Sequence, residues 1–325
     1  MLSESLRETL ELQKLAGIAG RNAGHKFEET ITKMINSIDI NVVMDLPTIN
    51  QNVVIGNPAI NLMKYIIQKE NITDIISFKA WWVGGLATSG AGDVLYDESE
   101  NIITKCKSDV VIKFETSTGI ISRGISVKTC NSKKPGNAQL YFTTASSFSR
   151  ILRENEISVS EQAEVGLKMF CGDNGFRPID LLENLDSRLS DPTRFFWEEI
   201  PKESLEDLEN LFHQYQDEIT RILLQKAYLN DPYPPNFVLH QTCKYDDINN
   251  CEIALFTMDE LINYSRDFKG FHIKPYKIRK GSFKNDPHSH DAPRFGFVQF
   301  QRAGNKQHPT QLQFNLQAGY FRKCN

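Results

Sequence analysis

The chain has 325 residues, 24% charged and 40% hydrophobic, a globular composition that excludes a disordered or collagen-like polymer. At about 100–200 residues per domain, the length predicts two domains or one core carrying a large insertion. No apolar run approaches the roughly 18 residues of a membrane span, and the acidic, amphipathic N-terminus is unlike a signal peptide. Six cysteines without a CxxC pair point to a reducing cytosol rather than a disulfide scaffold or zinc ribbon.

A net charge of −4 argues on its own against a nucleic-acid binder, but the charge is unevenly spread. Residues 151–220 hold 17 Asp/Glu against 6 Lys/Arg, whereas residues 269–325 hold 11 Lys/Arg against Asp286 and Asp291. A terminal concentration of positive charge either attracts phosphate or forms a basic solvated face.

In chain order, Leu6, Leu10, Leu12 and Leu15 predict a helix over residues 3–16 that stops near Gly17 and Gly20. A second helix follows with Phe27, Ile31, Met34 and Ile35 on one face. Residues 50–57 read as loop and 59–68 as helix, and Trp81, Trp82 and Val83 read as a buried strand running into Gly84 and Gly85. Ser89-Gly90-Ala91-Gly92-Asp93 is a tight loop, because its glycines spoil helix and strand alike. Residues 109–114 and 120–129 are strands joined by a Thr116–Gly119 hairpin turn. The acidic middle predicts one helix opened by Ser204, Glu206 and Asp207, with Leu205, Leu208, Phe212, Tyr215, Ile219 and Ile222 inward. Pro232, Pro234 and Pro235 then break the chain, residues 252–256 suggest a strand, 258–264 a helix, and the remainder all-β structure.

Chemistry concentrates in Lys107-Ser108-Asp109-Val110-Val111-Ile112 and Gly124-Ile125-Ser126-Val127-Lys128. Period-2 alternation puts Gly124, Ser126 and Lys128 on one face while Ile125 and Val127 enter the core. An aspartate and a lysine converging at a sheet end suit metal-assisted phosphodiester hydrolysis. The carboxylate holds Mg²⁺, and the ammonium steadies the attacking water or the developing negative charge. Upstream, Phe27 anchors the second helix and leaves Glu28 free to reach the same sheet end. The same residues also suit an edge-strand ion pair, a first-turn acid at Glu28 and a turn-bound Asp93.

With the helix at Gly24 to Glu28, the Gly-rich loop at Ser89 to Asp93, the strand bearing Asp109 and the "ISVK" strand bearing Lys128, residues 20–130 resemble the PD-(D/E)xK nuclease superfamily, and within it the type II restriction endonucleases. The resemblance implies an α/β fold: a restriction-endonuclease-like mixed sheet flanked by helices, with a β-rich C-terminal recognition part. It also implies Mg²⁺ dependence, cleavage of double-stranded DNA to 5′-phosphate ends, and a homodimer. Ser108 stands where the name-giving proline belongs, and Ser126 where the second acid belongs. The missing metal oxygen is assigned first to Glu28 and second to Asp93. Glu115 is set aside as roughly 20 Å from Asp109 along the strand.

The C-terminus carries a second pattern. Val298, Phe300, Leu312, Phe314 and Leu316 alternate with Gln299, Gln301, Gln311, Gln313, Asn315 and Gln317 on either side of a Gly-Asn turn. Six amides without a carboxylate suit base edges, since Gln and Asn offer donor and acceptor together to adenine. A two-stranded ribbon also fits the major groove. Arg302, Asn305 and Lys306 join this set, and Lys133 and Lys134 can grip phosphate from a loop. A polar sheet face or a dimer seam is the alternative. His288-Ser289-His290-Asp291 reads as a loop near DNA rather than a zinc or HNH site. The expected organisation is a catalytic core over 1–155, an acidic helical insertion over 156–235, and the rest of the core with the recognition region over 236–325. The reading is a cytoplasmic restriction endonuclease without membrane contact. A repair or recombination nuclease with structural specificity and a non-catalytic DNA-binding protein are the alternatives.

Overall fold

The computed structural model describes residues 22–86, 90–97, 99–183, 185, 192–225, 230–277, 288–302 and 310–323, with the side chains of Arg302 and Lys323 outside the description. The expected helix over 3–16 therefore lies outside the described residues. In chain order the first elements are α1 (residues 22–36), α2 (Ile40–Met44), β1 (Val53–Gly56), α3 (Pro58–Glu70), β2 (Ile75–Trp82), β3 (Val110–Thr116) and β4 (Gly119–Lys128). Next come β5 (Ala138–Thr144), α4 (Ala145–Glu154), α5 (Glu161–Cys171), α6 (Pro178–Leu181), α7 (Lys202–Gln214) and α8 (Gln216–Leu224). The chain ends with β6 (Pro235–Gln241), β7 (Cys251–Thr257), α9 (Met258–Arg266), β8 (Phe271–Tyr276), β9 (His290–Phe295), β10 (Val298–Arg302) and β11 (Gln311–Leu316).

The fold is α/β. Its first sheet runs β1-β7-β6-β4-β3-β2 and is mixed, because β4 and β6 are parallel while its other neighbours are antiparallel. The second runs β5-β11-β10-β9-β8. Two compact units follow these sheets: residues 1–138, 224–261 and 318–325 form one, and 139–223 and 262–317 the other. The expected segments at 155/156 and 235/236 each divide between the units, because β6 and β7 complete the first sheet while β5 joins the second.

In the first unit, Phe27, Ile31 and Ile35 of α1 and Leu62 and Ile66 of α3 bury the sheet face carrying Ile112, Phe114, Ile125, Val127, Phe237 and Leu255. The amphipathic spacing of α3 is reinforced at its start, where Asn57 accepts hydrogen bonds from the Ala59 and Ile60 backbones ahead of Pro58. The opposite sheet face is also covered, by Val83, Leu95, Ile103, Cys106 and Tyr233 around Val111. This explains the unbroken Val110-Val111-Ile112 run, which is buried on both faces. The hairpin turn falls where expected, and Asp74 accepts from the Ser117 backbone at 3.0 Å. The expected loop over 50–57 instead contains β1, a four-residue edge strand paired with β7 and too short to show a pattern.

The second unit packs an aromatic core on one face of its sheet. Phe148 of α4 lies 5.0 Å from Phe314, and Phe212 of α7 lies 5.0 Å from Phe295 and 5.1 Å from Phe271 (ring centroids). The acidic helix starts at Lys202 after Pro201, not at Ser204, and divides at Tyr215 into α7 and α8. Ser204 is a buried contact instead: a methyl at Gly166 of α5 would sit 2.9 Å from its Cβ. Leu205 and Tyr215, expected inward, are only half-buried. The expected loop at 288–291 enters β9 at His290. This histidine is buried, with its ring 3.6 Å from Phe196 and Nδ1 2.7 Å from Glu198 Oε1.

Candidate active site

Asp109 immediately precedes β3, where its backbone joins two segments. Its N–H donates to Ile125 O at 2.8 Å, and its carbonyl accepts from Val83 and Gly84 N–H, both at 3.0 Å. This fixes the carboxylate at the sheet end, in a residue that is 8% exposed overall. Its Oδ2 accepts from the Val127 backbone at 2.7 Å and the Ser126 hydroxyl at 3.3 Å. Lys128 Nζ lies 3.9 Å from the same oxygen and donates to Ser126 Oγ at 2.9 Å and Val127 O at 3.3 Å. Ser126, read from sequence as a missing acid, is thus the hydroxyl shared by the aspartate and the lysine.

Glu28 arrives from α1 and is 7% exposed. Its Oε2 accepts from the Trp82 indole N–H at 3.0 Å, and the His25 ring meets the same indole edge-on at 5.9 Å. Gly84 makes the approach of Glu28 and Asp109 possible. A Cβ on Gly84 would stand 2.3 Å from Glu28 Oε2 and 3.4 Å from the Asp109 Cα. A second glycine, Gly124, opens the β4 side, where a Cβ would strike Ser108 Oγ at 2.2 Å and Pro234 O at 2.4 Å. Ser108, in the place of the expected proline, is buried and donates to Tyr233 O at 2.7 Å.

Asp93 is not brought into this group. It is exposed, its Oδ2 accepts from the Trp82 backbone N–H at 2.8 Å, and its own N–H donates to Trp82 O at 2.7 Å. Its carboxylate satisfies the outward N–H of an edge strand, so the aspartate placed second as a metal ligand, with a bond to its own turn as the alternative, instead binds a strand eleven residues away. Among the described residues, no three His, Cys, Asp or Glu side chains gather in a metal-holding group. The oxygens that could serve a metal here are the Glu28 and Asp109 carboxylates with the Ser126 hydroxyl. This oxygen-only set suits a hard cation such as Mg²⁺, which keeps several waters and takes few carboxylates; it lacks the nitrogen and sulfur donors of zinc centres.

On β6, His240 pairs in register with Lys128, and its Nδ1 is 3.3 Å from Tyr320 Oη. Burial, and secondarily the Lys128 charge, push its pKa down to about 3, so it stands neutral beside the ammonium. Sequence reasoning missed both Trp82 and His240. Trp82 carried a signal, as an indole two residues before Gly84 at a strand end. His240 carried none, because a parallel pairing across more than a hundred residues leaves no local pattern.

Lys133 and Lys134 are exposed in the loop after β4. In the second unit, β10 and β11 pair as the alternation predicts, with Gln299 opposite Asn315, Phe300 opposite Phe314 and Gln301 opposite Gln313. Gln301 is exposed, Gln299, Gln311 and Gln313 are half-buried, and Asn315 is buried. The amides bond one another, Gln301 Nε2 to Gln313 Oε1 at 3.4 Å and Gln313 Nε2 to Asn315 Oδ1 at 3.2 Å. Arg302 stands in register with Leu312, in the Val298/Phe300 series and not in that of the glutamines. Asn305 and Lys306 lie outside the described residues. No helix among the described residues is long and apolar enough to cross a membrane. No protein-family model matches the chain, and no curated protein matches it.

Proposed function

We propose that the chain is a Mg²⁺-dependent, site-specific endonuclease that hydrolyses double-stranded DNA in a restriction–modification system. On this reading it works in the cytoplasm as a homodimer on a two-fold site and has the restriction-endonuclease-like fold. The carrying observation is the meeting of Asp109, Ser126 and Lys128 at one sheet end, with Glu28 drawn towards Asp109 across Gly84. Asp109 and Glu28 would hold Mg²⁺, which supplies polarisation of the phosphate and a lowered water pKa when bound. Ser126 and the Val127 backbone orient the aspartate, and Trp82 orients the glutamate. Lys128, already poised on the Ser126 hydroxyl, steadies the incoming water or the charge that grows on the phosphate oxygens. Attack of water on phosphorus breaks the bond to the 3′ oxygen and leaves a 5′-phosphate and a 3′-hydroxyl. In the second unit, Gln299, Gln301, Gln311 and Gln313 read base edges, and the buried Asn315 holds Gln313 in place by accepting from its amide.

Purified protein incubated with phage DNA and Mg²⁺ should give discrete fragments whose sequenced ends share one motif. Asp109→Ala should abolish cutting while leaving binding to that motif intact; retained cutting refutes the assignment. One observation favours a second reading, a non-catalytic DNA-binding protein: Lys128 already donates to two oxygens of its own strand. Absence of nicking across a Mg²⁺ titration, with binding retained, would establish it.

A further inference from the structure

The amide face of the second sheet continues past the ribbon. Pairing of β8 with β9 sets His272 opposite Arg294, and pairing of β9 with β10 sets Arg294 opposite Gln299. Gln299 in turn faces Asn315. One row across four strands therefore reads His272, Arg294, Gln299, Asn315, and the next row on that face, all to the same side, holds Lys274, Ala292, Gln301 and Gln313. None of these positions is acidic.

Arg294 is the anomaly in this row. It is half-buried, yet its Nε and Nη1 are buried without a hydrogen-bond partner. Burial alone lowers its pKa. Gln311 Oε1 on β11 is unpartnered in the same way. Partly buried arginines are ordinarily paired, because an unmet donor costs roughly 1–3 kcal/mol and more when charged. Unmet donors beside a ladder of amides call for an external acceptor pair. The rigid guanidinium fork matches the O6 and N7 atoms of guanine, as the neighbouring amides match adenine.

We propose that Arg294 is the specificity-determining residue of this face, donating its guanidinium fork to the major-groove edge of one guanine in a DNA duplex. The proposal rests on the DNA-reading part of the function above and not on cleavage. A rotation of the side chain towards the groove would present one guanidinium edge, Nη2 with either Nε or Nη1, to the two guanine acceptors.

The test is binding selection from a randomised DNA duplex library without Mg²⁺, using wild type, Arg294→Gln and Arg294→Lys. Wild type should enrich a motif with an invariant G·C pair. Arg294→Gln should bind that motif about 10–100-fold more weakly and lose preference at that single pair while keeping the others. Arg294→Lys should lose it too, since an ammonium lacks the fork. An unchanged motif, a uniform loss over all sequences (a phosphate contact), or rescue by lysine overturns the proposal. So does a marked fall in the melting temperature of Arg294→Gln, which would make the arginine a partner within the fold. A wild type that enriches nothing refutes DNA reading altogether, whereas enrichment without Mg²⁺-dependent cutting refutes only the nuclease reading and leaves Arg294 supported.

Discussion

The Glu28 carboxylate illustrates how residue-level geometry divides into what sequence can reveal and what it cannot. Asp109, Ser126 and Lys128 were legible because one hairpin sets all three, and strand alternation fixes their face. The route by which Glu28 is held was not legible, since it depends on the Trp82 indole and the absence of a Cβ at Gly84. Trp82→Phe keeps the ring's bulk and removes the donor. It should leave the fold intact, reduce Mg²⁺-dependent cutting about 10–100-fold and raise the Mg²⁺ concentration needed for half-maximal cutting, as loss of an orienting partner does at metal sites. A titration of cutting against Mg²⁺ checks this, and an unaltered titration would remove Trp82 from the site. Asp93 shows the converse. Its loop was readable from glycine spacing, but its partner is a strand backbone that no local rule identifies.

At the scale of elements, amphipathic spacing and alternation located elements that bury one clear face, such as α3 and the β10–β11 pair, while β3 was legible as an unbroken apolar run buried on both faces. They failed where contacts between elements decide. Ser204 has the composition of a helix cap, yet it lies inside α7 as the small residue that lets α5 approach. β6 carries the element-level prediction. His240 titrates near 6.5 when the chain is unfolded, and its pKa falls to about 3 in the folded state through burial first and the Lys128 charge second. Between these values the unfolded chain binds the proton and the folded chain does not. The group therefore weakens folding progressively as pH drops from about 6.5 towards 3, by at most about 1.4 kcal/mol per pH unit, and has no effect above 6.5. His240→Gln should flatten the acid limb of stability relative to wild type in urea denaturation measured from about pH 4 to pH 7. Parallel curves for the two proteins would show that the histidine is not the titrating group.

At the scale of the whole molecule, an α/β architecture and a basic C-terminal stretch were readable, whereas the allocation of segments to units was not. The parallel pairing of β4 with β6 joins Ser126 to Val238, and most of the second unit's chain up to α8 lies between them in sequence. Long-range pairings of this kind leave no periodic trace and form slowly. A chain ending at residue 223 retains β4 but lacks β6 and β7, so the strand bearing Lys128 becomes an open edge. Such a fragment should fail to show a cooperative melt by circular dichroism and should aggregate. A sharp, reversible transition would mean that the hairpin and its helices suffice to close the first core.

The clasp between Asp93 and Trp82 has a wider consequence. β2 is the outermost strand on its side of the first sheet, and a bare margin of that kind invites another chain to zip onto it. By occupying both the amide and the carbonyl of Trp82, the segment at Asp93 closes that margin at the end nearest Glu28. The carboxylate covers the amide and the Asp93 backbone covers the carbonyl, so a side-chain substitution at this position would uncover the amide alone, on the residue whose indole donates to Glu28.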